Sequence, residues 1–186
     1  VCNVPGYSTQ AVAQHTFALL LEIVNNISAL NRFVHDGSWS RDGYRDIQTM
    51  PLMELSGRTL GICGAGSIGQ QVARLGEVFG MKVVAYRRHP ERDRDALTYV
   101  DLDTLLAVSD VVSIHLPLTE ETRGMFSTEL LSRMKDGAIL LNTSRGAVLD
   151  EAAVVRALDS GKLYAVGADV LCQEPPETEC RLASHP

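Results

Sequence analysis

At 186 residues, 45% of them hydrophobic, the chain holds enough apolar material for one domain with a sizeable core, which excludes a disordered polypeptide. A formal net charge of -6 and a pI near 5.3 exclude a general nucleic-acid surface and favour local positive groups acting on small molecules or on copies of the chain itself. Cys2, Cys63, Cys172 and Cys180 show neither a C-x-x-C pair nor the spacing of a disulfide framework or zinc site, so no metal is expected and a reducing compartment is.

The longest early apolar run, residues 17–21, is far shorter than the roughly 20 residues of a membrane span, and no basic segment precedes it. A cytoplasmic protein without membrane contact is the expectation. The chain opens at Val1 without a methionine and stops at Pro186 in mid-loop composition, so residues 1–186 read as one domain of a longer protein.

Apolar residues at Val12, Phe17, Leu20, Ile23, Val24, Ile27 and Leu30, with Thr16 among them, recur at helical spacing. They predict one long helix over 9–34, with Ser8 or Thr9 as its cap. Residues 36–55 carry Trp39 among glycines, aspartates and arginines without a period and read as an extended connector, or arm. From residue 58 onward, branched runs predict strands at 59–63, 82–86, 111–115, 138–141 and 164–168, separated by helices at 68–79, 102–108, 128–134 and 151–160. Alternation with such short gaps forces right-handed crossovers. The expected fold is therefore α/β, a Rossmann-type doubly wound parallel sheet preceded by the long helix and arm. Ligands of such sheets bind beyond the carboxyl ends of strands, where strand order reverses, and Gly64, Arg87, His115, Asn142 and Asp169 all fall at strand ends.

The first strand runs into Gly64-Ala65-Gly66-Ser67-Ile68-Gly69. Gly64 permits the tight turn, Gly66 lets backbone approach a pyrophosphate, and Gly69 lets the helix lie close to the strand. The helix from Ile68 aims its free N–H groups at the phosphates. Such a loop alone often serves only packing; the strand before it and the amphipathic helix after it supply the context of a dinucleotide site. At the end of the second strand, where folds of this kind that prefer NAD usually carry a carboxylate for the ribose hydroxyls, this chain has Tyr86-Arg87-Arg88-His89-Pro90. Two guanidiniums able to grip a 2'-phosphate tip the expectation from NAD to NADP, against the plainer reading of a solvated charged loop spanning 87–95.

The strand Ile139-Leu140-Leu141 leads into Asn142-Thr143-Ser144-Arg145-Gly146 and presents one arginine where the sheet ends. A planar guanidinium there suits pairing with a carboxylate and polarising an adjacent carbonyl, although a surface salt bridge is the blander alternative. Glu174, just past the last strand in Gln173-Glu174-Pro175-Pro176, stands where a carboxylate can orient a histidine and favour its protonated form. His15 reads as a packed helix residue, and His35 and His89 read as loop residues.

Together with Val12-Ala13-Gln14-His15, His115-Leu116-Pro117-Leu118-Thr119, Thr122-Arg123-Gly124, the run from Asn142 to Glu151, and Asp169 followed by Glu174, these motifs extend over nearly the whole chain. In them it resembles the cofactor-binding domain of the D-isomer-specific 2-hydroxyacid dehydrogenases, the group that includes glycerate, phosphoglycerate, hydroxypyruvate and formate dehydrogenases. The resemblance implies that Arg145 binds a 2-keto acid and that Glu174 orients the catalytic histidine. It implies further that Asp169 holds the nicotinamide carboxamide and that Ser67 and Ile68 meet the pyrophosphate. His115, Leu116 and Pro117 would line the nucleotide pocket, and Thr143 and Ser144 would lie near the nicotinamide ribose. Arg87 departs from the acidic residue many members keep. The family's acid-base histidine follows a Thr-Pro pair, which His185 does not match, so that histidine and the substrate-binding domain are expected outside residues 1–186.

In the family the first helix and arm form a twofold interface, so a homodimer is expected, with Trp39 available to it. The implied activity is hydride transfer between NAD(P) and a small D-2-hydroxy or 2-keto acid of the glycerate, hydroxypyruvate or glyoxylate type. The alternative is a nucleotide-sensing corepressor or scaffold of the same family without turnover.

Overall fold

The computed structural model describes residues 6–42, 51–88, 97–176 and 180–185, leaving aside the side chain of residue 42. Five parallel strands, β1 (Thr59–Cys63), β2 (Lys82–Tyr86), β3 (Val111–Ile114), β4 (Ala138–Asn142) and β5 (Leu163–Ala168), form one sheet in the order β2-β1-β3-β4-β5. The order reverses between β1 and β3. Its crossovers are α4 (Ser67–Val78), α5 (Leu102–Val108), α6 (Thr128–Ser132) and α7 (Glu151–Asp159).

Helices cover both faces, which explains why β3 and β4 are buried at every position and read as continuous apolar runs. Alternation along each strand divides the core in two. Leu60, Ile62, Val111, Ile139 and Leu141 pack with α4 and with α1 (Thr9–Asn25), while Val112, Ile114 and Leu140 pack with Leu105 and Leu106 of α5, Leu131 of α6 and Val154 of α7. Each fully buried side chain of this size contributes roughly 1.5–3 kcal/mol relative to exposure.

The expected boundaries of β1, β2 and α5 are those found, and the other sheet and crossover elements agree to within two residues. The long N-terminal helix does not hold. It breaks at Asn26, which adopts a left-handed φ of 51°, and resumes as α2 (Ile27–His35) at a bend of 54°. The break is fully partnered. Asn26 N–H still donates to Glu22 O at 2.9 Å, its Nδ2 donates to Pro51 O at 2.9 Å, and the Glu22 carboxylate accepts from Ser28 N at 2.9 Å, replacing the missing first-turn bond of α2. Ser8 does occupy the N-cap position of α1, yet its side chain makes no capping hydrogen bond.

In the arm, Ser38–Asp42 form a short helix, α3, and not an extended connector. Trp39 lies on it half exposed. His35 is the last residue of α2 instead of a loop residue. His89 and most of the charged run 87–95 lie outside the described residues.

Candidate active site

Register along the ladders sets the strand ends in one row. Gly64 N–H donates to Tyr86 O at 3.0 Å, His115 N–H to Cys63 O at 2.8 Å, and Asp169 N–H to Asn142 O at 3.1 Å. The carboxyl edge therefore presents, in spatial order, Arg87, Gly64, His115, Asn142 and Asp169. All five belong to the crevice side of the order reversal.

The glycine loop builds the first concavity. Gly64 has φ +104°, and a methyl on it would fall 2.6 Å from His115 O; a methyl on Gly69 would strike the Gly64 carbonyl. These positions let β1, the loop and α4 close on one another. At Gly66 the same methyl meets nothing within 4 Å, because that residue faces a cavity of about 330 Å³. The lining includes Gly64, Gly66, Arg87, Arg88, His115, Leu116 and Pro117. Ser67 and Ile68 open α4 just behind it, and no side chain caps that helix, so its first N–H groups are left for a ligand. A glycine floor, an uncapped helix start and two arginines fit a dinucleotide phosphate and ribose. Arg88 Nη2 stands 3.9 Å from Glu121 Oε2, and Thr119 Oγ1 donates to that same carboxylate oxygen at 2.7 Å. The Thr119 bond first, and Arg88 after it, hold the Glu121 carboxyl below its ordinary pKa.

His115 Nε2 lies 2.9 Å from Ser113 Oγ, and burial lowers the ring's pKa from 6.5 to about 4. The neutral imidazole is therefore the folded form. An unfolded chain binds a proton here near pH 6.5 and the folded chain only near 4, so stability rises with pH across that window. The contribution is complete above 6.5 and is lost as the pH falls to about 4. Denaturant unfolding at a series of pH values should show His115→Asn losing up to ~3 kcal/mol less than wild type between neutrality and the acid end of this window. Parallel curves would show that the ring protonates freely in the fold.

The second concavity lies at the ends of β4 and β5. A cavity of about 340 Å³ is lined by Leu118, Ser144, Arg145, Gly146, Leu171 and Glu174 among others, so the arginine and the glutamate expected to work together border one space. Two contacts arrange this. Asn142, fully buried, donates from Nδ2 to Arg145 O at 3.0 Å and accepts at Oδ1 from Ser144 N at 3.1 Å and Ser144 Oγ at 2.8 Å, clamping the turn. Gly146 then packs on the backbone of Leu171 and Cys172, joining the loop after β4 to the loop after β5. Arg145 itself is exposed and donates from Nη1 to Ser144 O at 2.7 Å. Glu174 accepts from Leu171 N at 2.7 Å, which holds its carboxylate back over its own loop.

The outer lip of the crevice comes from α1. His15 is exposed, not packed, and its Nε2 lies 3.0 Å from Asp169 Oδ1; Thr16 Oγ1, on a fully buried residue, lies 2.9 Å from Thr143 Oγ1. His185 stays apart, 3.2 Å from Asp159 at the far end of α7. Sequence reading placed Asn142 at a strand end and His15 in a family motif, but gave neither of them, nor Thr16, a part in holding the site together. A polar residue closing an otherwise apolar buried strand was the available signal for Asn142. No local signal exists for pairings that span more than a hundred residues.

Residues 17–186 match the D-isomer specific 2-hydroxyacid dehydrogenase, NAD binding domain. The chain is 43% identical over 177 residues to a hydroxypyruvate reductase of Blautia hydrogenotrophica, covering 94% of this chain and 55% of that protein. It is 43% identical over 182 residues to a glyoxylate reductase of Thermococcus litoralis, with 94% and 54% covered. Among solved structures, the NAD-dependent formate dehydrogenase of Staphylococcus aureus in complex with NAD superposes with a TM-score of 0.87 at 32% identity, over 97% of this chain and 54% of that one. The chain thus spans about half the length of the relatives it matches. With that match over residues 17–186 and these relatives, the chain belongs to the D-isomer-specific 2-hydroxyacid dehydrogenase family, as its NAD-binding domain.

Proposed function

We propose that residues 1–186 are the dinucleotide-binding domain of a longer enzyme that interconverts a small D-2-hydroxy acid and its 2-keto acid, of the glycerate, hydroxypyruvate or glyoxylate type. The observation that carries this is the shared pocket of Arg145 and Glu174, one strand away from the glycine cradle. In the cradle the loop 64–69 and the start of α4 take the pyrophosphate, His115, Leu116 and Pro117 flank the nucleotide, and Thr143, Ser144 and Asp169 receive the nicotinamide half. Bound there, the nicotinamide supplies or accepts the hydride at C2 of the acid.

The chain's own residues position and polarise. Arg145 takes the substrate carboxylate in its planar fork and draws charge onto the 2-keto oxygen, with Nη1 already engaged by the Ser144 carbonyl and its other donors left for the anion. Glu174 orients an acid-base histidine that belongs to a segment beyond Pro186 and stabilises its imidazolium, so that a proton reaches the carbonyl oxygen as the hydroxyl forms. The exposed apolar residues Ile27, Val34 and Trp39 on α2 and α3 support a homodimer formed through the helix and arm.

Arg87 and Arg88 in the cradle lining support NADP over NAD, with Glu121 moderating the preference by partly neutralising Arg88. Steady-state assays of the full-length protein with hydroxypyruvate and glyoxylate test activity and coenzyme together. NADPH oxidation with the higher kcat/KM, falling towards the NADH value in the Arg87→Ala/Arg88→Ala variant, is expected. No oxidation of either coenzyme over a panel of 2-keto acids would overturn the enzyme reading in favour of a non-catalytic sensor. NADH preference untouched by the double substitution would overturn NADP alone.

A further inference from the structure

We infer that His15 is a positioning residue for the nicotinamide half of the site, with Thr16 beside it, so that α1 fixes the two groups at the outer lip of the crevice. The inference rests on the dinucleotide reading above and extends it to residues of a helix that precedes the nucleotide fold.

Packing fixes where His15 points. His15, Leu19 and Ile23 lie on one i, i+4 row of α1, and Gly167 and Asp169 lie two apart at the end of β5. A methyl on Gly167 would fall 3.2 Å from Leu19 Cβ and 3.3 Å from Ile23 Cδ1, so the row is seated directly on the strand. One turn earlier on that row, His15 then meets Asp169, at 3.0 Å.

Hydrogen-bond direction adds to this. Thr16 Oγ1 donates its single proton to Val12 O at 2.8 Å, so in its 2.9 Å contact with Thr143 it can only accept. The Thr143 hydroxyl is thereby aimed at Thr16, and its lone pairs are turned away from α1. At Asp169, His15 engages Oδ1 and leaves Oδ2 as an acceptor for a carboxamide N–H. Two adjacent residues of α1 thus set the orientation of two polar groups at neighbouring strand ends before any ligand arrives. Both partners of the His15–Asp169 pair are about half exposed, 46% and 53%, so the effect is moderate.

The test compares ligands with and without a nicotinamide in the full-length protein. Calorimetry should show His15→Ala weakening whichever of NADH and NADPH binds the tighter by about 3- to 10-fold while ADP-ribose changes less than about twofold, and His15→Gln, which keeps a donor at the same reach, recovering most of the loss. Unchanged coenzyme affinity in His15→Ala overturns the inference. So does equal weakening of coenzyme and ADP-ribose, which is what a purely structural role of α1 produces. Wild-type protein that binds neither coenzyme nor ADP-ribose overturns the dinucleotide reading itself, and this inference with it.

Discussion

Replacing Arg145 by alanine in the full-length protein should lower kcat/KM for 2-keto acids by about 10³-fold, the scale seen when a preorganised charge-stabilising donor is removed from an acyl or carbonyl site. The structure makes the effect specific. The side chain is exposed and bonds only to the carbonyl of its neighbour Ser144 among the described residues, whereas the turn that carries it is held by Asn142. Stability and dinucleotide affinity should therefore stay at wild-type values, since the bonds that Asn142 makes to the turn go to Ser144 and to the backbone carbonyl of Arg145, not to the side chain removed. Arg145→Lys retains charge but loses the two parallel N–H donors, and it should recover only part of the activity. Normal turnover in the alanine variant would remove Arg145 from the chemistry and leave Glu174 without a partner in the proposal.

Gly146→Ala should be the most damaging small substitution in the described chain. The added methyl would overlap the carbonyl group of Leu171 and the amide of Cys172, which are backbone atoms and cannot rotate aside. Relief requires the loops after β4 and β5 to part. Overpacking of this kind costs about 3 kcal/mol, and for a domain of this size that corresponds to a fall in Tm of roughly 6–12 °C. Catalysis should fall with it, because parting the loops separates Arg145 from Glu174, while ADP-ribose binding in the cradle should persist. Gly66→Ala is the control: its methyl meets nothing within 4 Å, so melting should be unaffected even though the methyl enters the phosphate cavity. A Gly146→Ala protein melting at the wild-type temperature would show that the two loops are not interlocked in solution.

The sheet was readable because its signals are local. Short β-branched runs, each bounded by glycine or charge, define β1 to β5, and the side chains of β4 are buried on both faces as a parallel strand requires. The row of strand ends followed from topology alone, and with it the neighbourhood of Gly64, His115, Arg145 and Asp169. The break at Asn26 was not readable. Apolar spacing continues through it, and the left-handed turn depends on a bond to Pro51, a residue 25 positions away. The contacts of His15 and Thr16 were hidden for the same reason: helix periodicity reports which face is buried, not what an exposed imidazole at its edge will touch 154 residues later. Asp169 and Thr143 carried their expectation through family resemblance, and only the three-dimensional packing of α1 shows what aligns them.

The clamp made by Asn142 also bears on how fast an anion is captured. Because the amide of Asn142 holds both Ser144 N and Arg145 O, engagement of a carboxylate calls for rotation about the side-chain bonds of Arg145, without rearrangement of the turn that carries it. Rotamer changes of exposed side chains take picoseconds to nanoseconds, many orders of magnitude below the interval between turnovers. Under the proposed function, reorientation of Arg145 onto an acid is then too fast to limit turnover, which leaves that part to slower steps such as conformational closure, chemistry or coenzyme release.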